Sequence, residues 1–195
     1  MNKADLRQQI KLRFLKFTPQ QLTAKSNAIQ HKLLRSPHFA QAGALFIFNS
    51  LKDEPQTHGI IAAAQAAGKA VFCPAFSNGQ WCAPLQQLTA ACNLQTNGGV
   101  HVTGAGQKNL LCVVPLVGFS TLGERLGRGG GWYDRVLSAI DNACSQAAPP
   151  DKERRQSTAN EHKKVVKIGL AFDFQQLPAG FGEPHDAKLD GVICG

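Results

Sequence analysis

Five stretches of this chain are apolar at consecutive positions: "GALFIFNS" (43–50), "KAVFCPAF" (69–76), "NLLCVVPLVGF" (109–119), "VVKIGLAFDF" (165–174) and "LDGVICG" (189–195). A strand with one wet face alternates apolar and polar residues, whereas a strand covered on both faces does not. Each run is therefore expected as a strand inside a layered fold. "EPQTHGIIAAAQAAGK" (54–69) joins the first two and predicts a helix from about Thr57, capped by Gly68. That β-α-β order calls for parallel strands and a right-handed crossover. "GWYDRVLSAI" (131–140) predicts a further helix. The expected fold class is α/β: a single three-layer domain over 1–195, with a mostly parallel central sheet flanked by helices.

Two helices are expected before the first strand. Over 3–17, Leu6, Ile10, Phe14 and Phe17 recur at three or four and form one apolar stripe. Lys3, Arg7 and Lys11, each four apart, form a second stripe beside it, so Lys3 and Arg7 are placed to reach into a cleft. The next helix opens with Thr18 as N-cap and Pro19 at its first position. Residues 77–108 are polar and are expected as short strands or loops. Residues 142–164, with Pro-Pro and no periodicity, are expected as an exposed, mobile loop.

The chain holds 43% hydrophobic and 17% charged residues, a globular composition with no run of 18 apolar residues and no signal peptide at the N-terminus. A cytoplasmic protein without a membrane partner is expected, and a monomer. The six cysteines are spaced by at least nine residues, so zinc and redox motifs are disfavoured and small buried thiols are expected. Residues 1–35 carry seven of the eight net positive charges. Such a field attracts polyanions without choosing among them.

The densest local signal is "RLGRGGGWYDR" (125–135), which follows a strand and opens a helix. A helix N-terminus offers unpaired N–H groups to an anion, and glycines let the backbone wrap phosphate oxygens. Arg125 and Arg128 add charge-assisted bonds. Asp134 in the first turn would be repelled by phosphate unless a divalent cation lay between them, which points to Mg²⁺. Neither familiar nucleotide fingerprint fits. Gly118 and Gly123 have P-loop spacing but Glu124-Arg125 follows, and Trp132 takes the last glycine position of a G-x-G-x-x-G. Local physics leaves three readings open: a phosphate cradle, a plain turn with exposed arginines, and an RGG-like RNA patch. RGG segments are usually repeated and disordered, whereas this copy is single and sits between a strand and a helix.

"VPLVGFSTLGERLGRGGGWYDRVL" resembles the 5-formyltetrahydrofolate cyclo-ligase family in its proline, its glycines and its R-L-G-x-G-x-G-Y/F/W-Y-D pattern. "KADLR", "FNSLKDEPQT", "KIGLAFDFQ" and "PHDAKLDGVI" are similar to further family segments, in the same order along the chain. The resemblance implies that ATP and 5-formyltetrahydrofolate give 5,10-methenyltetrahydrofolate, ADP and phosphate through a phosphorylated formyl group, with Mg²⁺ required. It implies an ATP site from Lys3 and Arg7 together with Arg125, Leu126, Gly127, Arg128, Gly129, Gly130 and Gly131, walled by Trp132 and Tyr133. Arg128 and Tyr133 would take part in the chemistry, and Asn49, Glu54, Arg128 and Trp132 would hold the folate. Asp134 and Asp186 would hold Mg²⁺. The implied partners are small molecules, not nucleic acid. Some relatives carry Lys where Gly130 stands, so here Lys3, Arg7, Arg125 and Arg128 must meet the phosphate charge. The alternative is a non-catalytic nucleotide- or folate-binding protein of the same fold. Residue by residue, Glu54 and Asp134 also read as helix N-terminal acids, and Lys3 as a solvated terminal residue.

Overall fold

The computed structural model describes residues 2–77, 80–83, 109–146 and 165–195. Five strands form one sheet: β1 (Ala42–Ile47), β2 (Ala70–Phe72), β5 (Asn109–Val114), β8 (Val165–Ala171) and β9 (Gly191–Cys194). Their order is β2-β1-β5-β8-β9, and every pairing is parallel. The sheet is thus parallel throughout among the described strands.

Successive residues on the strands go to opposite cores, which is why the runs do not alternate. Ala44, Phe46, Leu110, Cys112 and Val114 pack with Val136, Leu137 and Ile140 of helix α5 (Trp132–Gln146). Leu45, Ile47, Leu111, Val113, Ile168 and Leu170 pack with helices on the other face. Those helices are α2 (Pro19–Leu34), α3 (Pro37–Gln41) and α4 (His58–Ala66), which supply Ile29, Leu33, Phe39, Ile60 and Ala64. The three layers are as expected. Lys167 on β8 breaks the apolar run; it is buried on the α5 face and ion-paired to Asp141 of that helix.

Helix ends follow the local chemistry. Thr18 and Gln21 form a capping box at the start of α2, with Pro19 in the first turn. Thr57 precedes α4, and Gly68 beyond its end has φ +68°. Helix α1 (Lys3–Phe14) is capped by Asn2 and Asp5, and stops three residues short of the expected Phe17. Pro19 keeps Thr18 extended, so the chain leaves the helix earlier. Phe17 instead stacks on Phe174, ring centroids 4.5 Å apart.

Two expected strands are shorter than their apolar runs. The 109–119 run breaks at Pro115, and Gly118–Phe119 forms β6, a small antiparallel pair with β7 (Arg125–Leu126). The 69–76 run breaks at Pro74, and β3 (Ala75–Ser77) pairs with β4 (Gln80–Cys82). Proline brings no N–H to a ladder, which accounts for both breaks. The loop expected from 142 begins later, because α5 continues to Gln146. Residues 147–164 and 84–108 lie outside the described residues. No helix among those described is long and apolar enough to cross a membrane.

Candidate functional site

The carboxyl ends of β1, β2 and β5 open onto a cleft of about 950 Å³, bounded by Phe48, Pro74, Pro115 and Leu116. Ligands in open α/β sheets bind at such strand ends. The volume lies at the upper end of the usual range of about 300–1,000 Å³ for small-molecule sites.

The glycine loop forms one wall and runs into the N-terminus of α5. Gly129 and Gly131 have φ of +105° and +60°, where a side chain would strain the backbone. Gly130 has open space around its Cα, so a side chain is tolerated there. The loop is fixed from behind. Arg7 Nε donates to the Gly127 carbonyl at 2.8 Å, and Arg135 donates to the Gly130 carbonyl at 3.2 Å.

Of the residues expected to form the site, all but one line this cleft: Lys3, Arg7, Asn49, Glu54, Arg125, residues 127–133, Asp134 and Asp186. Leu126 is the exception. Its side chain is fully buried with Leu6, Ile10 and Leu177, where α1 packs against β7. Its carbonyl accepts from Val117 N–H at 2.7 Å. Leu126 supports the loop from the core, and its apolar side chain has no access to a nucleotide.

The cations of the cleft already have partners. Lys3 Nζ bonds Asp186 at 2.7 Å and Glu183 at 3.3 Å. Burial works against its charge, but those carboxylates overcome burial and raise its pKa. The same contact lowers Asp186: desolvation opposes ionisation, and the Lys3 bond together with the Glu183 N–H outweighs it. Arg125 is buried, 4% exposed in its side chain, and its Nη2 meets Asp134 Oδ1 at 2.6 Å. Asp134 Oδ1 also accepts the Ala187 N–H at 3.2 Å, which ties the start of α5 to the residue after Asp186. Arg125 is thus a brace behind the loop as well as part of its lining.

Glu54 is 6% exposed and lies in a turn before α4, with Thr57 and not Glu54 at the helix cap. A plain helix-dipole role therefore does not explain it. Its Oε2 accepts the Leu51 N–H at 2.9 Å, and its Oε1 accepts from Arg128 across the cleft. Tyr133 sits edge-on to Trp132, centroids 4.8 Å apart, and Arg125 lies over its ring at 5.9 Å. Burial pushes the Tyr133 hydroxyl pKa well above its ordinary value, so it stays protonated at neutral pH.

The basic N-terminal field has a different use from the expected one. Only Lys3 and Arg7 of its eight cations line the cleft. Arg13 donates to the Phe174 and Gln176 carbonyls, Lys25 pairs with Asp173, and Lys32 donates to the Cys194 carbonyl. These cations bind the N-terminal helices to the C-terminal segment, and Lys11 points to solvent.

Glu183, His185 and Arg135 also line the cleft and were not among the residues expected there. Ligand atoms of Glu183, His185 and Asp186 lie within 4.8 Å of one another. The presence of Glu183 three residues before Asp186 was the available signal. Of the cysteines, Cys112 is fully buried and its thiol is pushed up to about 12 by desolvation, as an inert core group.

A model of the 5-formyltetrahydrofolate cyclo-ligase family matches residues 1–195. The chain belongs to this family. A Caenorhabditis elegans protein described as "Probable 5-formyltetrahydrofolate cyclo-ligase" is 32% identical over 98% of this chain and 91% of its own. The Escherichia coli 5-formyltetrahydrofolate cyclo-ligase is 28% identical over 90% of this chain and 91% of its own. Among solved structures, a 5,10-methenyltetrahydrofolate synthetase from Mycoplasma pneumoniae superposes with a TM-score of 0.64 at 20% identity, covering 99% of this chain and 98% of that one. The family's fold is the one built here from the five apolar runs.

Proposed function

We propose that this chain converts 5-formyltetrahydrofolate to 5,10-methenyltetrahydrofolate using ATP, with ADP and phosphate released. One observation carries the reading beyond family membership. Arg128 of the glycine loop and the buried Glu54 of the facing turn meet at 3.0 Å in a single cleft. A cation suited to phosphate and a carboxylate suited to adjacent N–H donors thus share one cleft, which supports a reaction between two substrates there.

The formyl oxygen of the substrate is a poor leaving group. Its attack on the γ-phosphorus of ATP forms a C–O–P bond and breaks the bond to ADP. N10 of the folate then attacks the activated formyl carbon and gives up its proton to solvent, and the carbon–oxygen bond breaks so that inorganic phosphate departs with that oxygen. Transfer of this kind depends on positioning and charge, not on a protein nucleophile. The loop N–H groups and Arg128 hold the phosphoryl oxygens, and Lys3 and Arg7 approach from α1. Glu54 and Asn49 hold the pterin, with Trp132 and Tyr133 as an apolar wall that excludes water. Tyr133, protonated, donates a hydrogen bond at the reacting group.

The donor set suits Mg²⁺: Asp186 and Glu183 offer carboxylate oxygens on the cleft, and Asp134 is hydrogen-bonded to the next residue, Ala187. Asp134 and Asp186 would hold the ion, which supplies charge neutralisation at the transferring phosphoryl group. The test is turnover by purified protein with ATP, Mg²⁺ and the folate each omitted in turn. One ADP and one phosphate per methenyl product, and none without any one of the three, are expected. ATP and folate binding without product would favour the non-catalytic reading.

A further inference from the structure

One arginine ties the two walls of the cleft together. Arg128 Nη2 donates to Asp53 Oδ1 at 2.6 Å and to Glu54 Oε1 at 3.0 Å, and its Nε reaches the same Glu54 oxygen at 3.3 Å. Each carboxylate oxygen has about two acceptor sites, so Glu54 Oε1 is filled. The Leu51 N–H lies on Oε2. Asp53 and Arg128 are about half exposed while Glu54 is buried. Desolvation works against the guanidinium, yet Asp53 and Glu54 together hold it more firmly charged than usual.

Arg128 therefore cannot put a two-pronged guanidinium grip on a phosphate and keep these partners, because its Nε and Nη2 N–H groups are engaged, and Glu54 cannot offer both oxygens to a pair of ligand N–H donors while Arg128 fills Oε1. We propose that Asp53 and Glu54 park Arg128 in the free protein, so that nucleotide and folate bind cooperatively by dividing this ion triad between them. The proposal rests on the reading above, in which Arg128 takes phosphate and Glu54 takes the folate. A nucleotide alone draws Arg128 away and leaves Glu54 as a buried, unpaired charge, which is costly. Folate alone displaces Arg128 from Glu54 onto Asp53. With both bound, each charge has a new partner. Asp53 is a positioning residue: it touches no substrate and sets how readily Arg128 leaves. Such coupling is reciprocal, each ligand tightening the other by the same factor.

The experiment is calorimetric titration of the full chain with 5-formyltetrahydrofolate and with a non-hydrolysable ATP analogue, each alone and with the other saturating. The wild type should show mutual tightening, within about 5- to 150-fold. Arg128→Gln should bring that factor to near one. Asp53→Asn should tighten the analogue by about 2- to 5-fold, as expected for loss of an exposed pair, and leave the coupling factor unchanged. In the double variant the Asp53→Asn effect should vanish. Independent binding in the wild type, or coupling that survives Arg128→Gln, would overturn the latch with the functional reading intact. An Asp53→Asn effect that persists in the double variant would show general repulsion of anions and remove Asp53 from the device. If neither ligand bound the wild type, the functional reading itself would fail.

Discussion

At the scale of residues, two carboxylates carry different burdens. Glu54 is buried and aimed into the cleft by the Leu51 N–H, so its charge is fixed in place for ligand donors. Glu54→Gln should raise the folate KM on the order of 10- to 100-fold, the worth of charge-assisted bonds, with the ATP KM at saturating folate little changed. An unchanged folate KM would reject the pterin assignment. Asp134 neutralises a buried guanidinium whose Nε already lacks a partner among the described residues. Asp134→Ala should cost about 3–5 kcal/mol in urea unfolding, because it strands a buried charge. Stability equal to wild type would remove the brace from the account. That Glu54 and the loop arginines face one cleft was legible from the family resemblance and the glycine-rich stretch. The pairing of each cation with a carboxylate was not, since partners such as Arg128 and Glu54 are 74 residues apart.

At the scale of elements, a carboxylate reinforces the backbone bonds from the Leu177 and Leu189 N–H groups that hold the chain around the β6–β7 turn to the C-terminal segment. Glu124 accepts from Ser120 Oγ at 2.7 Å and from the Gly180 and Gly182 N–H groups at 2.9 and 3.1 Å. The Ser120 bond, with the Gly180 N–H next, lowers its pKa below the ordinary glutamate value. Its folded value being depressed, its contribution is full above about pH 4.3 and is lost as pH falls through the folded value. Glu124→Gln should lower stability at neutral pH by about 1–2 kcal/mol and flatten the acid limb of a Tm-against-pH curve. A variant with an unaltered acid limb would contradict this assignment. Element boundaries were legible where side chains mark them, at Thr18-Pro19 and Gly68. They were misread at Pro74 and Pro115, where an apolar run continues past the residue that ends the ladder. The expected end of α5 at Ile140 also fell short of Gln146, because polar residues near its C-terminus satisfy helix geometry without an apolar period.

For the molecule as a whole, the layered α/β fold was legible because burial on both faces leaves a direct trace in sequence. Phe46 and Leu45 are neighbours in the chain and belong to opposite cores. The basic N-terminal field gave no such trace of its use, since charge reads the same whether it faces a ligand or a carbonyl. Lys25 and Lys32 show the second case. The fold brings the glycine loop, the Glu54 turn and the Asp186 segment to one cleft at the carboxyl ends of the strands, and the proposed phosphoryl activation of the formyl group depends on that convergence. The most direct test uses 5-formyltetrahydrofolate labelled with ¹⁸O in the formyl group, turned over by purified protein with ATP and Mg²⁺. The label should appear in inorganic phosphate in step with the methenyl product. Methenyl product with the label released to water would contradict phosphoryl activation, and no product at all would contradict the assigned reaction.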